Sequence, residues 1–140
     1  MPARGIQHVD LAVADVDRSL AFYRELLGPL GLKEAFRLRS YRGTEEVVYL
    51  AFGRSFFGLR PADGGTYEHY DVGLEHLGFQ VDTREEVDAA HERCLAAGGR
   101  IESPPERHYA YLDDQDYYAF FAFDPDGFRV EVLCDRAHPG

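Results

Sequence analysis

The sequence predicts an α+β fold built from two βαβββ modules, and three observations carry that reading. The strand-like segments 7–13 and 75–81 repeat one pattern, with His8 and His76 at the same point and 68 residues apart. Each is followed by a helix start, an amphipathic helix and a glycine-marked exit, and each half closes on two strand-like runs joined by a turn.

In segment 7–13, Val9, Leu11 and Val13 alternate with other residues, so a period of two puts His8 on the face opposite the buried one. Asp15 or Asp17 then caps a helix running to about Leu27, with Val16, Leu20, Tyr23 and Leu27 at helical spacing and Gly28-Pro29 as the stop. A strand begins at Gly31-Leu32-Lys33, and residues 47–52 and 55–60 form a hairpin across Gly53-Arg54. The first module therefore spans residues 6–60. Residues 61–73, opening on Pro61-Ala62-Asp63-Gly64-Gly65-Thr66, are the linker.

The second module spans residues 74–135 of what is expected to be one domain, 1–140. Leu77, Phe79 and Val81 form the buried face of its first strand, opposite His76. Thr83 and Glu86 make a capping box, Val87, Ala90, Cys94 and Leu95 the apolar stripe of the helix, and Gly98-Gly99 its end. Arg100-Ile101-Glu102 begins the next strand, and the tract 103–116, with Pro104-Pro105 and Asp113-Asp114-Gln115-Asp116, is expected to be mostly loop. Residues 117–123 and 128–133 form the second hairpin over Asp124-Pro125-Asp126-Gly127, where proline pre-sets φ and glycine accepts a positive one.

Composition bounds the function. At 140 residues, 45% hydrophobic and 14% aromatic, the chain can bury a real core. A net charge of −10 disfavours nucleic acid, whose binding needs clustered Lys and Arg. No apolar run approaches the roughly 20 residues of a bilayer span and the N-terminus shows no signal-peptide core, so a cytoplasmic protein with no membrane partner is expected. Cys94 and Cys134 lack a CxxC spacing and read as buried free thiols.

Chemistry is concentrated in three positions. Phe128, Val130 and Val132 share one face of the last strand, so Glu131 projects to the other with Arg129. If the two first strands and the last line one concave sheet, His8, His76 and Glu131 offer two imidazoles and a carboxylate with further coordination positions open. That set suits a divalent Fe, Mn, Ni, Co or Zn ion. Singly, each has a plainer reading: a strand histidine as a structural hydrogen-bonder, Glu131 as a solvent-facing partner of Arg129. His91 sits at the core boundary, His69 and His108 in tyrosine-rich loops where either could carry protons, and His138 in the tail. Tyr41, Tyr49, Tyr67, Tyr70, Tyr109, Tyr111 and Tyr118 line a pocket or pack the sheets, and Arg37, Arg39, Arg42 and Arg60 could meet an anionic substrate.

The opening His8-Val9-Asp10-Leu11-Ala12-Val13 followed by Ser19-Leu20-Ala21-Phe22-Tyr23, the His76 strand, and the closing Phe123-Asp124-Pro125-Asp126-Gly127-Phe128-Arg129-Val130-Glu131 resemble the vicinal oxygen chelate superfamily of glyoxalases, bleomycin-resistance proteins and type I extradiol dioxygenases. The resemblance implies a glyoxalase-like fold, paired modules whose sheets curl around a central site, often completed in a homodimer. It also implies metal chelation of adjacent oxygens on a small-molecule substrate. His8, His76 and Glu131 fall on three of the family's metal positions. The fourth aligns with Gly58, which cannot ligate through a side chain, and this departs from glyoxalase I, where a glutamate serves as ligand and base. The extradiol pattern of a histidine and then a tyrosine before the Asp-Pro turn is not matched either, since Phe121 stands at the tyrosine place. A potassium loop of the fosfomycin-resistance type is not recognisable. The expected function is thus a metal-dependent enzyme of lyase or isomerase, transferase or dioxygenase type, with no catalytic acid or base assigned. The alternative is a metal-free, bleomycin-resistance-type protein that sequesters a drug or metabolite.

Overall fold

The computed structural model describes residues 2–40, 42–43, 45–108 and 116–135. Tyr41, Tyr109, Tyr111, His138 and Asp113-Asp114-Gln115 of the sequence reading lie outside them. The elements run β1 (His8–Val13), α1 (Val16–Leu27), a 3-10 turn (Gly28–Leu30), β2 (Lys33–Arg39), β3 (Glu46–Phe52), β4 (Ser55–Pro61), β5 (Leu77–Gln80), α2 (Arg84–Ala96), β6 (Arg100–Arg107), β7 (Tyr118–Phe123) and β8 (Arg129–Cys134). This is the glyoxalase-like α+β fold. The chain divides into two compact units, residues 1–65 and 66–140, each holding one βαβββ module on a mixed four-stranded sheet. Among the described residues no helix is long and apolar enough to cross a membrane.

In the first unit the strand order is β1-β4-β3-β2, with β1 parallel to β4 and the other pairs antiparallel. Asp15 is the N-cap of α1, its carboxylate accepting the Arg18 N–H at 3.1 Å. The helix ends through the 3-10 turn on Gly31, whose φ of 103° only glycine adopts without strain. Leu20, Tyr23 and Leu27 are buried as their spacing predicts, joined by Phe22 and Leu26. They face the sheet, where Tyr23 meets Phe57 edge-on at 5.1 Å and Leu11, Val13, Val48, Leu50 and Leu59 complete the core. Each fully buried aliphatic side chain contributes roughly 1.5–3 kcal/mol. The opposite sheet face is left to His8, Asp10, Tyr49 and Gly58.

The second unit repeats the order as β5-β8-β7-β6, with β5 parallel to β8. The capping box of α2 forms in full: Thr83 Oγ1 accepts the Glu86 N–H, and the Glu86 carboxylate accepts the Thr83 N–H, both at 3.1 Å. Val87, Ala90 and Cys94 are buried against the sheet, and His91 lies beside them with its ring 5.4 Å from Phe120. Leu95, placed in the stripe by the sequence reading, is 49% exposed, because it follows Cys94 by one residue and so turns about 100° off the packed line. Both cysteines are free and buried.

Residues 103–107, expected as loop, continue β6. That strand is the sheet edge, and its register shifts from Ser103↔Phe121 to Glu106↔Ala119, so Pro104 and Pro105 together oppose one residue of β7. A bulge on an edge strand is where proline is tolerated, since no ladder N–H is demanded of it. The Asp124-Pro125-Asp126-Gly127 turn forms as read, with Asp124 Oδ1 accepting the N–H groups of Asp126 and Phe128, both at 2.9 Å, and Gly127 at φ 89°.

Candidate metal centre

In the second unit, alternation along β8 sends Val130 and Val132 to the helix side and Arg129, Glu131 and Leu133 to the other. Register then fixes Glu131's neighbours, Gly78 on β5 and Phe121 on β7. His76 immediately precedes β5, two residues from Gly78 and on the same face. The result is a direct meeting of two of the three sequence-predicted ligands: His76 Nε2 stands 3.2 Å from Glu131 Oε1. Glu131 is only 2% exposed, so it is not the solvent-facing partner of Arg129 that an isolated strand glutamate would be. Its second oxygen, Oε2, accepts a 2.6 Å hydrogen bond from the Tyr117 hydroxyl.

The far side of His76 is equally specified. Its Nδ1 is hydrogen-bonded to Glu75 Oε2, and Phe121 lies edge-on to the ring at 5.8 Å. Arg129 backs the arrangement, donating to Glu102 at 2.9 and 2.7 Å and to Glu75 Oε1 at 3.3 Å while its guanidinium covers the Phe121 ring at 4.0 Å. Glu75 Oε1 also meets His69 Nε2 at 3.2 Å. The hydrogen bond to His76, reinforced by the His76 and Arg129 charges against the cost of desolvation, holds the Glu75 carboxyl below the usual carboxylate range.

The His76–Glu131 pair has the spacing of two donors to one divalent ion. With donors about 2.1 Å from a metal, two neighbouring ligands at tetrahedral or octahedral angles stand roughly 3.0–3.4 Å apart, which brackets the His76–Glu131 separation. A histidine flanked by two carboxylates can hydrogen-bond both only with a proton on each nitrogen; a cation on Nε2 replaces the second proton. The carboxylate on Nδ1 is the outer partner that orients a ligating imidazole. Among the described residues, no group of three or more His, Cys, Asp or Glu side chains that could hold a metal ion is found.

His8 belongs to the first unit. Its Nδ1 is 2.7 Å from Gln7 Oε1, and its ring meets Tyr49 edge-on at 5.9 Å. Two residues along β1, Asp10 lies across from Gly58, and the Tyr49 hydroxyl donates to Asp10 Oδ2 at 3.0 Å. A Cβ at position 58 would collide with Asp10 Oδ1 and come within 2.9 Å of Tyr49 Cε1. Gly58 is thus the strand-paired counterpart of Glu131, as the alignment of the two last strands predicts, and its side-chain space is already filled.

Sequence reading missed Tyr117, Asp10, Gln7 and Glu75. For Tyr117 the signal was there, since the period of two along 117–123 puts Tyr117 and Phe121 on the Glu131 side. The expected arginine cluster does not stand free: Arg37 is bonded to Glu34 and Glu46, Arg42 to Glu45 and Asp63, Arg60 to Glu45 and Ser40, and Arg39 to the Gly43 carbonyl. His108, read as a loop residue, packs its ring 5.5 Å from Phe121 and 6.2 Å from Tyr117.

The sequence profile of the Glyoxalase/Bleomycin resistance protein/Dioxygenase superfamily matches residues 5–132. The uncharacterized protein YqjT of Bacillus subtilis is 30% identical over 130 residues, spanning 92% of this chain and 98% of that protein. An iron-dependent extradiol dioxygenase of Rhodococcus jostii is 26% identical across 94% of this chain, which spans 43% of that protein. A lactoylglutathione lyase of Haemophilus influenzae is 25% identical, with 94% and 93% covered. Among solved structures, a glyoxylase/bleomycin resistance protein/dioxygenase domain from Frankia sp. superposes with a TM-score of 0.79 at 27% identity, covering 96% of this chain and all of that one.

Proposed function

Since the chain belongs to the Glyoxalase/Bleomycin resistance protein/Dioxygenase superfamily, we propose that it is a divalent-metal-dependent enzyme acting on a small oxygenated substrate, with His8, His76 and Glu131 as metal ligands. The observation that carries this reading is the His76–Glu131 pair, two donors 3.2 Å apart with one of them buried. A bound ion would supply Lewis-acid stabilisation of negative charge on adjacent substrate oxygens. The protein's own residues supply orientation. Tyr117 occupies one oxygen of Glu131 and leaves Oε1 directed at His76. Glu75, steadied by Arg129, fixes the His76 tautomer so that Nε2 is the donor. Phe121 walls the site with an apolar ring. His108, whose ring packs 5.5 Å from Phe121 and 6.2 Å from Tyr117, and Tyr117 itself are the candidates for moving a proton at the substrate. Gly58 offers no donor where glyoxalase I places its glutamate, which argues against methylglyoxal-glutathione isomerisation as the reaction.

Elemental analysis of protein purified without added metal, and again after incubation with Fe, Mn, Ni, Co or Zn, tests the reading. Stoichiometric metal in the wild type is expected to disappear in His8→Ala, His76→Ala and Glu131→Gln variants. A folded wild type that takes up none of these ions overturns it and leaves a metal-free binding protein of the bleomycin-resistance type.

A further inference from the structure

The first unit holds a groove that the metal reading does not use. Its lining residues, Arg4, Gly5, Ile6, Gln7, Arg54 and Phe56, all belong to residues 1–65, and its volume is about 650 Å³. Strand pairing brings them together. The Gln7 carbonyl accepts the Phe56 N–H at 2.9 Å where β1 and β4 begin side by side, His8 paired with Phe56. The segment leading into β1 therefore lies next to Gly53-Arg54, the turn between Phe52 and Ser55 that leads into β4, and each contributes one arginine.

Both arginines are exposed, and among the described residues neither forms an ion pair or a hydrogen bond. That sets them apart in a chain with 25 acidic against 15 basic residues, where Arg24, Arg37, Arg42, Arg60 and Arg129 are each held by a carboxylate. No carboxylate lines the groove, so its two positive charges stand uncompensated there. Apolar surface lies beside them. Ile6 is 80% exposed, and the half-buried Phe56 has its ring 5.9 Å from Phe36, which stacks on Tyr49 at 5.0 Å. Exposed apolar surface next to a concave site is surface that a bound molecule covers.

We infer that this groove binds a small organic anion, a carboxylate or phosphate monoester carried on an aromatic body. A guanidinium is a planar fork of donors that keeps its charge at any working pH and grips either oxyanion through two parallel hydrogen bonds. Arg4 and Arg54 take the head of the ligand, and Ile6 and Phe56 take its body. The volume is that of a small-molecule site, and a net charge of −10 opposes docking on an anionic membrane or on nucleic acid. The anion-binding role expected of Arg37, Arg39, Arg42 and Arg60 thus passes to two arginines that the fold leaves unpaired. No metal is needed, so this groove stands or falls separately from His76 and Glu131.

Calorimetry and amide-detected NMR titration of the protein without added metal test this, with phenylacetate and phenyl phosphate as probes and acetate, inorganic phosphate and benzyl alcohol as controls. At least one phenyl anion is expected to saturate, with shifts at Gly5, Gln7 and Phe56, and to bind about tenfold or more tightly than any control. The tighter of the two identifies the head group. Arg4→Ala and Arg54→Ala should each weaken binding by about tenfold, and Ile6→Ser should narrow the margin over the controls by about threefold. These side chains are exposed, so each variant should unfold at the wild-type temperature. Wild-type affinity in both arginine variants, shifts confined to residues outside the groove, or controls that bind as tightly as the phenyl anions overturn the inference. A wild type that binds neither phenyl anion overturns it as well, and none of these outcomes bears on metal uptake.

Discussion

Glu131 lies where water is excluded, and each of its carboxyl oxygens has a specific neighbour. A carboxylate at 2% exposure survives only with its oxygens satisfied, and here one is held by Tyr117 and the other faces His76. Tyr117→Phe removes one hydrogen bond to a charged acceptor, an interaction worth about 1.5–3 kcal/mol. The expected outcome is a loss of that size in denaturant unfolding. It should be accompanied by metal binding weaker by about 10–100-fold, because Glu131 then rotates between two acceptor geometries. The substitution keeps the aromatic ring and its packing, so a variant with wild-type stability and wild-type metal affinity would show the hydroxyl to be idle.

At the scale of elements, what was legible in the sequence is what local chemistry determines. Asp15, and Thr83 with Glu86, mark the two helix starts, and the period of two separates His8, His76 and Glu131 from the core sides of their strands. Removing the Thr83 side chain breaks one half of the box and frees the other, so Thr83→Ala should lower unfolding free energy by about 1 kcal/mol. Arg84→Ala, one residue on, should change it little, since the Arg84–Asp116 contact at 3.7 Å is solvent-exposed. The contrast is read in the same denaturant experiment. What was not legible depends on register. Pro104 and Pro105 signal a loop until the bulge against β7 is known. Likewise the Asp10–Tyr49 and Glu131–Tyr117 bonds join residues 39 and 14 positions apart, whose meeting is fixed by strand pairing rather than by any local pattern.

At the scale of the whole molecule, stability should be lost at high pH, because Cys94, Tyr118 and Cys134 hold their protons more tightly in the folded chain than the free groups do. Burial pushes the Cys94 thiol up to about 11, and burial, then the hydrogen bond to Asp88, pushes the Tyr118 phenol up to about 12. Burial also raises Cys134. In each case the unfolded chain gives up its proton first. Between the ordinary thiol value of 9.0 and about 11, the folded state therefore binds more protons than the unfolded one, and stability falls as pH rises. The contribution is fully present below pH 9 and declines by about 1.4 kcal/mol per pH unit for Cys94, roughly 3 kcal/mol in all. Denaturant midpoints measured from pH 7 upward should be flat and then fall in that window. Cys94→Ala should start lower, from the small space it leaves against Val87 and Ala90, yet decline less between pH 9 and 11, converging on the wild type. Parallel curves for the two proteins would show that Cys94 titrates alike in the folded and unfolded states, and that its burial does not govern the alkaline limit.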